Sequence, residues 1–384
     1  MPRRIAQGAL LIALILTSCG GDATQAPEPW RLDASRSLIE QVGYNPHDPR
    51  LDTRLYAPGL RGTCEVSGAE DDNMSDMVKR ARGEVRYGEF GAELVTISTE
   101  CTSEERPELC EAPSAYSLKI QYNARGLPQR VEERNTDISG VERWSVREFG
   151  YNAQDLLTSF SFESDDPSAQ HVVRTRSYAY EAAGKLTSRS DDERSTSLYG
   201  EVQTSASSGA FGYTVEEGGL TQWSIRDDGS RIKRNVWDER GVYVPIPRHD
   251  CDKYEHTLSY TPDNATIARI GWSYDCFFSS EGVIELDDRN TLRSARAHSI
   301  NGPDPQSSST SEDTYEREDL PNGWRITHVS SSHYNNPDHP TLRSSKLTFS
   351  GEACRRPKLE PGAPLLNQLN TQTLSPLINQ SFTF

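Results

Sequence analysis

The residues best equipped for chemistry fall in two short stretches. Arg248-His249-Asp250-Cys251-Asp252, with His256 just beyond, gathers imidazole, thiol and carboxylate, the ligand types of a zinc site. The spacing follows none of the recurring zinc patterns, so the stretch is expected to hold no metal. Asp71-Asp72-Asn73-Met74-Ser75-Asp76 opens like a calcium loop. It has Asp76 where the sixth position needs glycine and Arg82 at the twelfth, where the chelating glutamate belongs, so it reads as a solvated acidic turn. The histidines His47, His171, His249, His256, His298, His328, His333 and His339 are scattered. There is no Gly-x-Ser-x-Gly elbow, phosphate-binding loop, dinucleotide fingerprint or His-Glu-x-x-His pair. Carboxylates are plentiful enough for two to act as acid and base on a glycosidic bond, but no pair stands apart from the rest. The expectation is no catalytic residue, no cofactor and no metal.

The N-terminus carries an address. Arg3 and Arg4 precede an apolar run from Ile5 to Leu16, too short to cross a bilayer comfortably, and Leu16-Thr17-Ser18-Cys19-Gly20 follows. That order is a secretory signal peptide. Leu16-Thr-Ser-Cys19 also resembles the lipobox of bacterial lipoproteins. The resemblance implies lipid attachment at Cys19 with cleavage before it. Because Gly20 rather than Asp follows, it also implies sorting to the outer membrane. Several acyl chains on one residue anchor a protein stably, so the membrane is an expected partner. Residues 20–30 read as a flexible tether.

Setting Cys19 aside leaves six of the seven cysteines: Cys64, Cys101, Cys110, Cys251, Cys276 and Cys354. An even number in an exported chain predicts disulfides, and the oxidising compartment competes with zinc for the thiols. Cys251 and Cys276 stand 25 residues apart, which suits neighbouring strands. Cys64, Cys101 and Cys110 precede the repeats described next, which leaves Cys354 to pair back with one of them. That bond would staple the last strand near the first and favours a closed or curled sheet.

The elements that must position these groups are strands. The chain has 384 residues, 34% of them hydrophobic, and 16 Tyr, 10 Phe and 6 Trp can still build a core. Its net charge of −16 repels phosphate backbones, which argues against nucleic acid as a partner. Tyr122-Asn-Ala-Arg-Gly126, Tyr151-Asn-Ala-Gln-Asp155 and Tyr180-Glu-Ala-Ala-Gly184 recur at steps of 29 residues. Leu118, Ile120 and Tyr122 alternate with polar residues, the period of a half-buried strand. Glu93–Ile97 reads as another strand. Ser139-Gly140, Asp228-Gly229, Glu281-Gly282 and Asn322-Gly323 read as turns, so each unit is one long β-hairpin.

Degraded units follow at Trp237–Gly241, Tyr260–Asn264 and Leu286–Asn290. Trp223-Ser-Ile-Arg stands 14 residues before Trp237 and Trp272-Ser-Tyr-Asp 14 before Leu286, and Trp144-Ser-Val-Arg repeats the tetrapeptide in an earlier unit. These aromatic stripes read first as core spacers and second as platforms for sugars. Met74, Met77 and Val78 fall at helical spacing, which predicts a short helix over 72–82. Asn301–Ser311 reads as a polar loop. Tyr44-Asn-Pro-His-Asp-Pro-Arg-Leu51 resembles the Tyr-Asn turns of the repeats.

The three aligned units resemble RHS or YD repeats, with Asn or Glu where that pattern has Asp. The resemblance implies hairpin architecture and a cell-surface setting. The chain is too short for the large shell of that family and shows neither its self-cleavage motif nor a trailing toxin domain.

The expected fold is an all-β antiparallel meander of long hairpin repeats, curled or barrel-like. The expected divisions are signal peptide 1–18, lipidated Cys19 and tether 19–36, N-terminal cap segment 37–110, repeat domain 111–354, and linker and tail 355–384. The expected function is non-enzymatic binding or scaffolding in the cell envelope, with glycan or protein as ligand. The alternative is an envelope polysaccharide hydrolase using a carboxylate pair.

Overall fold

The computed structural model describes residues 28–354, apart from 32, 34–35, 37, 52–54, 56–59, 73–77, 105–112, 138, 167–169, 198–203, 217–218, 227, 238–242, 245–252, 261–266, 276–277, 287–291, 302–308 and 335–340. The expected signal peptide, Cys19, Cys110, Cys251, Cys276, most of the expected polar loop and the tail lie outside the described residues.

The chain is nearly all strand: β1 (Gly62–Asp72), β2 (Val78–Tyr87), β3 (Ala92–Thr102), β4 (Ser114–Tyr122), β5 (Pro128–Thr136), β6 (Glu142–Tyr151), β7 (Leu157–Asp165), β8 (Gln170–Tyr180), β9 (Leu186–Ser197), β10 (Thr204–Glu216), β11 (Gly219–Ile225), β12 (Arg231–Trp237), β13 (Tyr243–Val244), β14 (Lys253–Tyr260), β15 (Ile267–Asp275), β16 (Phe278–Leu286), β17 (Leu292–Asn301), β18 (Ser309–Leu320), β19 (Gly323–Tyr334) and β20 (Thr341–Ser350). Each of β1 to β12 pairs antiparallel with its successor, and so does each of β14 to β19. β1 also pairs with β20, so the two ends of the sheet's chain path are neighbours. Among the described residues no ladder joins β13 to β14, and the meander stays open there. A twisted sheet this wide must curl rather than lie flat.

One face carries the core. Along β4, Ser114, Tyr116, Leu118 and Ile120 are buried while Ala115, Lys119 and Gln121 are exposed. The main cluster runs across this inner face through Leu118, Val131, Phe149, Leu157, Tyr178, Leu186, Tyr213 and Trp237. The disulfide Cys64–Cys354 lies where β1 meets β20, so Cys354 does tie back to the early cysteines. Cys101, at the end of β3, is also disulfide-bonded.

The repeats have a structural cause. At each repeated tyrosine the ladder slips by one residue, between Gln121 and Tyr122, Gly150 and Tyr151, and Ala179 and Tyr180. Such bulges bend a strand and sharpen its twist. The turn that follows is held by the asparagine. Asn123 Oδ1 accepts from the amides of Arg125 and Leu127, and Asn152 Oδ1 from those of Gln154 and Leu156. The fourth position then needs positive φ, +76° at Gly126 and +80° at Gly184. Asp155 adopts +60° without being glycine, as aspartate tolerates better than most residues.

The sheet also contains a unit that the 29-residue spacing hides. Tyr87-Gly-Glu-Phe-Gly91 carries the same bulge, between Arg86 and Tyr87. β1, β2 and β3 thus belong to the same sheet as the later hairpins, and within 37–110 the described residues before Gly62 add no strand to it.

Two local expectations are corrected. Residues 78–82 form strand, not helix, because Val78 to Arg82 are laddered on both sides, to β1 and to β3. The methionine spacing that suggested a helix yields to these pairings. Glu281-Gly282 is no turn either, because β16 runs straight through it with Gly282 opposite Trp272 and Ala297.

Candidate functional site

A segment ahead of the sheet, Trp30 to Leu55, packs along the turn end of the repeats. It contains one helical turn, α1 (Leu38–Gln41), and a 3-10 turn at Pro49–Leu51. The Trp30 amide donates to Arg125 O and the Leu186 amide to Gly43 O, both at 2.8 Å. Asn45 Nδ2 donates to the Tyr180 hydroxyl at 2.9 Å. Asn45 Oδ1 also accepts from the His47 amide, as the repeat asparagines do in their turns.

At the centre of this segment lies a buried ion pair. Arg50 Nε and Nη2 donate to the two carboxylate oxygens of Asp48 at 2.8 and 2.7 Å, and both side chains are fully buried. Arg50 Nη2 also reaches Asp155 O at 2.7 Å, and its guanidinium lies over the rings of Trp30 and Tyr151. Burial opposes the Arg50 charge, but Asp48 outweighs it and holds the pKa above its ordinary value. Asp155 itself takes a salt bridge from Arg125 at 2.7 Å, so the residue that departs from the repeat's glycine ties two turns and the segment together.

Beyond the apolar core the inner face is charged. Glu133 pairs with Arg147 at 3.1 Å, Arg174 with Glu193, and Arg176 and Arg189 share Asp191. These groups come from alternate positions of β5, β6, β8 and β9. The first two pairs neutralise each other across the ladders, while Asp191 faces two arginines. Among the described carboxylates with a shifted pKa, the shift is downward. Ser139 and Arg143 hold Asp137 at about 2, and Arg130 lowers Glu132. Burial would raise Asp313, but His328 and Ser330 outweigh it. A carboxyl poised as a general acid needs the opposite shift.

The outer face carries a groove of about 670 Å³ across β5 to β8. Its floor is Trp144, Val146 and Val173, and Val173 is 37% exposed. Arg130, Glu132, Glu148 and Glu163 stand around it. Arg130 Nε pairs with Glu132 at 2.8 Å and its Nη1 with Glu148, while Arg134 pairs with Glu142 at 3.1 Å. The Trp144 ring meets the edge of His171 at 6.5 Å. The tetrapeptide Trp144-Ser-Val-Arg147 therefore turns its apolar members outward and Arg147 inward. Trp223 also lies on the outer face, with its Nε1 donating to Thr214 at 2.9 Å, whereas Trp237 is buried in the core. The core-spacer reading holds for Trp237 and is corrected for Trp144 and Trp223, because strand alternation sets Trp223 on the face away from buried Leu220 and Gln222, and Trp144 on the face away from Arg147 and buried Phe149.

Of the other chemistry-bearing residues, His249, Asp250 and Cys251 lie outside the described residues. Among the described residues no group of His, Cys, Asp and Glu is arranged to hold a metal ion. Among the described residues, too, no helix is long and apolar enough to cross a membrane. The burial of the Asp48–Arg50 pair and its contact with Asp155 were not readable in advance, since only the fold brings Asp155 to it. Tyr87 left one signal, a tyrosine with glycine four residues on.

No family model matches the chain, and no curated protein does. Among solved structures, a porin-like protein from Bacteroides uniformis ATCC 8492 is 10% identical over 78% of this chain and 99% of its own, with a TM-score of 0.32. CdiB from Acinetobacter baumannii is 7% identical over 76% of this chain and 60% of its own, with a TM-score of 0.31. OccK3 (OpdO) from Pseudomonas aeruginosa is 8% identical over 77% of this chain and 96% of its own, with a TM-score of 0.23. At these values the likenesses carry no argument about what the chain does.

Proposed function

We propose that this chain is a non-enzymatic binding protein of the bacterial envelope, anchored in the outer membrane through lipid on Cys19, and that it takes a glycan in the groove across β5 to β8. The observation that carries the reading is Trp144 on the floor of an open 670 Å³ groove, ringed by the paired Arg130, Glu132 and Glu148. Sugars present apolar C–H faces that stack on an indole and hydroxyls that bind carboxylate and guanidinium at once. The arginine–carboxylate pairs hold these groups in place before a ligand arrives, which lowers the cost of ordering them. Downward-shifted carboxylates support binding over hydrolysis. The signal peptide and Leu16-Thr-Ser-Cys19 support the anchor, and the hairpin repeats fit the RHS/YD resemblance.

A glycan array probed with the purified protein, alongside an affinity pull-down from the same cells, tests the function. Binding of a defined glycan that Trp144→Ala reduces at least tenfold is expected. Capture of a protein without any glycan signal would overturn the glycan assignment. Turnover of an arrayed glycan, abolished by one Glu substitution, would overturn the non-enzymatic one. For the anchor, mass spectrometry of the mature N-terminus should find acylated Cys19, and Cys19→Ala should leave the membrane fraction.

A further inference from the structure

On the inner face, opposite the groove, β8 and β9 form a tile of four side chains. Arg176 faces Asp191 across the ladder, and Tyr178 faces Arg189. Arg189 Nε lies 2.8 Å and Arg176 Nε 3.5 Å from the same oxygen, Asp191 Oδ1, and neither contact has hydrogen-bond alignment. The nearest charged neighbours on these strands, Arg174 and Glu193, are spent on each other. From the segment side, Arg189 Nη1 abuts His47 Nε2. A guanidinium can only donate, so that imidazole nitrogen accepts and His47 is uncharged. The segment's other charges, Asp48 and Arg50, close on each other. From β10, Tyr213 offers its hydroxyl to His47 at 3.4 Å and accepts from Gln222 at 2.8 Å, adding no charge.

The tile therefore holds two guanidinium groups against one carboxylate. Arg189 is only 7% exposed, and Tyr178 only 6%. The Tyr178 hydroxyl finds no acceptor for its proton, because its polar neighbour, the Arg176 guanidinium, can only donate. A buried positive charge in excess and a buried donor without an acceptor each cost free energy, and one guest relieves both.

The geometry points to a small-oxyanion site formed by Arg176, Tyr178 and Arg189, with the tyrosine donating and the guanidinium groups supplying the charge. Its ligand is free phosphate or an equivalent group such as a carboxylate. This site is separate from the outer groove and does not rest on what the groove binds.

The test is a titration of the purified protein with sodium phosphate, sulfate or acetate against sodium chloride at constant ionic strength, read by thermal unfolding and by isothermal calorimetry. A saturable rise in unfolding midpoint with phosphate or another oxyanion, absent with chloride, is expected. Arg176→Gln should abolish it and Tyr178→Phe should weaken binding at least fivefold, while Arg174→Gln and Trp144→Ala retain it. Should Arg176→Gln fail to fold, Tyr178→Phe carries the test, since it removes one oxygen without changing charge. No saturable response in the wild-type protein, or one that survives both variants, would overturn the site. A high-resolution map from phosphate-soaked crystals showing ordered water alone at Tyr178 would do the same.

Discussion

The hydroxyl of Tyr151 donates to the carbonyl of Pro128 at 2.8 Å, and Pro128 is the residue facing Tyr122 across its bulge. The relation repeats. Tyr180 donates to Leu157, which faces Tyr151, and Tyr122 donates to Ala92, which faces Tyr87. Each tyrosine thus stitches its hairpin to the bulge of the one before. Removing a single hydroxyl should cost about 1 kcal/mol, more if the carbonyl is left dry. Urea denaturation of Tyr151→Phe should show a loss of this size, and Tyr151→Phe with Tyr180→Phe a larger one. Unchanged stability in the double variant would mean that the bulges, not the hydroxyls, hold the register.

Arg50→Met strands the Asp48 carboxylate in the interior. Breaking a buried pair on one side costs roughly 3–5 kcal/mol, whereas replacing both partners costs far less. Arg50→Met should therefore be markedly less stable than Asp48→Asn/Arg50→Met by chemical denaturation. Equal losses would show that the pair contributes through packing alone.

Gly43 sits at φ +67°, where an added Cβ would lie 2.5 Å from the Gly184 carbonyl oxygen. Gly43→Ala should destabilise by about 2 kcal/mol or more, since both the backbone conformation and the approach to the turn resist it. Limited proteolysis between residues 30 and 55 should speed up in the variant, while the sheet stays resistant.

Burial, with Arg189 and Arg176 nearby, holds the His47 pKa well below 6.5. The folded chain thus keeps His47 neutral at pH values where the unfolded chain protonates it. Its contribution is fully present above about pH 6.5 and falls as the pH drops below that, by up to about 1.4 kcal/mol per unit. Denaturation midpoints at pH 7.5 and 5.5 should differ more for the wild type than for His47→Gln. Identical differences would remove His47 as the cause.

The Cys64–Cys354 bond spans 290 residues of sequence. Closing so long a loop removes unfolded-state entropy worth about 5 kcal/mol in the chain-entropy picture. Cys64→Ser/Cys354→Ser should lose a large part of that, and reductant should lower the wild type toward the double variant. Full stability without the bond would mean that the β1–β20 ladder holds the ends together unaided.

Much of this architecture was legible because strand period and turn chemistry are local. Leu118, Ile120 and Tyr122 announced β4, and Asn123 with Gly126 announced its turn. Within the helix expected over 72–82, residues 78–82 are strand instead, because long-range pairing to β1 and β3 outweighed the helical spacing. The groove was half legible. Alternation says that Trp144 and Arg147 lie on opposite faces, but not which face is the core. The choice is made by bulges, since one extra residue exchanges inside for outside. The His47 and Arg50 contacts were not legible at all, because their partners, Arg189 and Asp155, lie far along the chain and meet them only in the finished sheet.

The pairing of Gly62–Asp72 with Thr341–Ser350 also sets a timetable. The first strand leaves the ribosome long before its neighbour exists, and until that neighbour arrives one row of its amides and carbonyls stays open to any passing strand. Interruption of synthesis at any point before the final hairpin leaves a chain whose founding strand has only one companion. The birth of this molecule is a wait, and Thr341–Ser350 ends it.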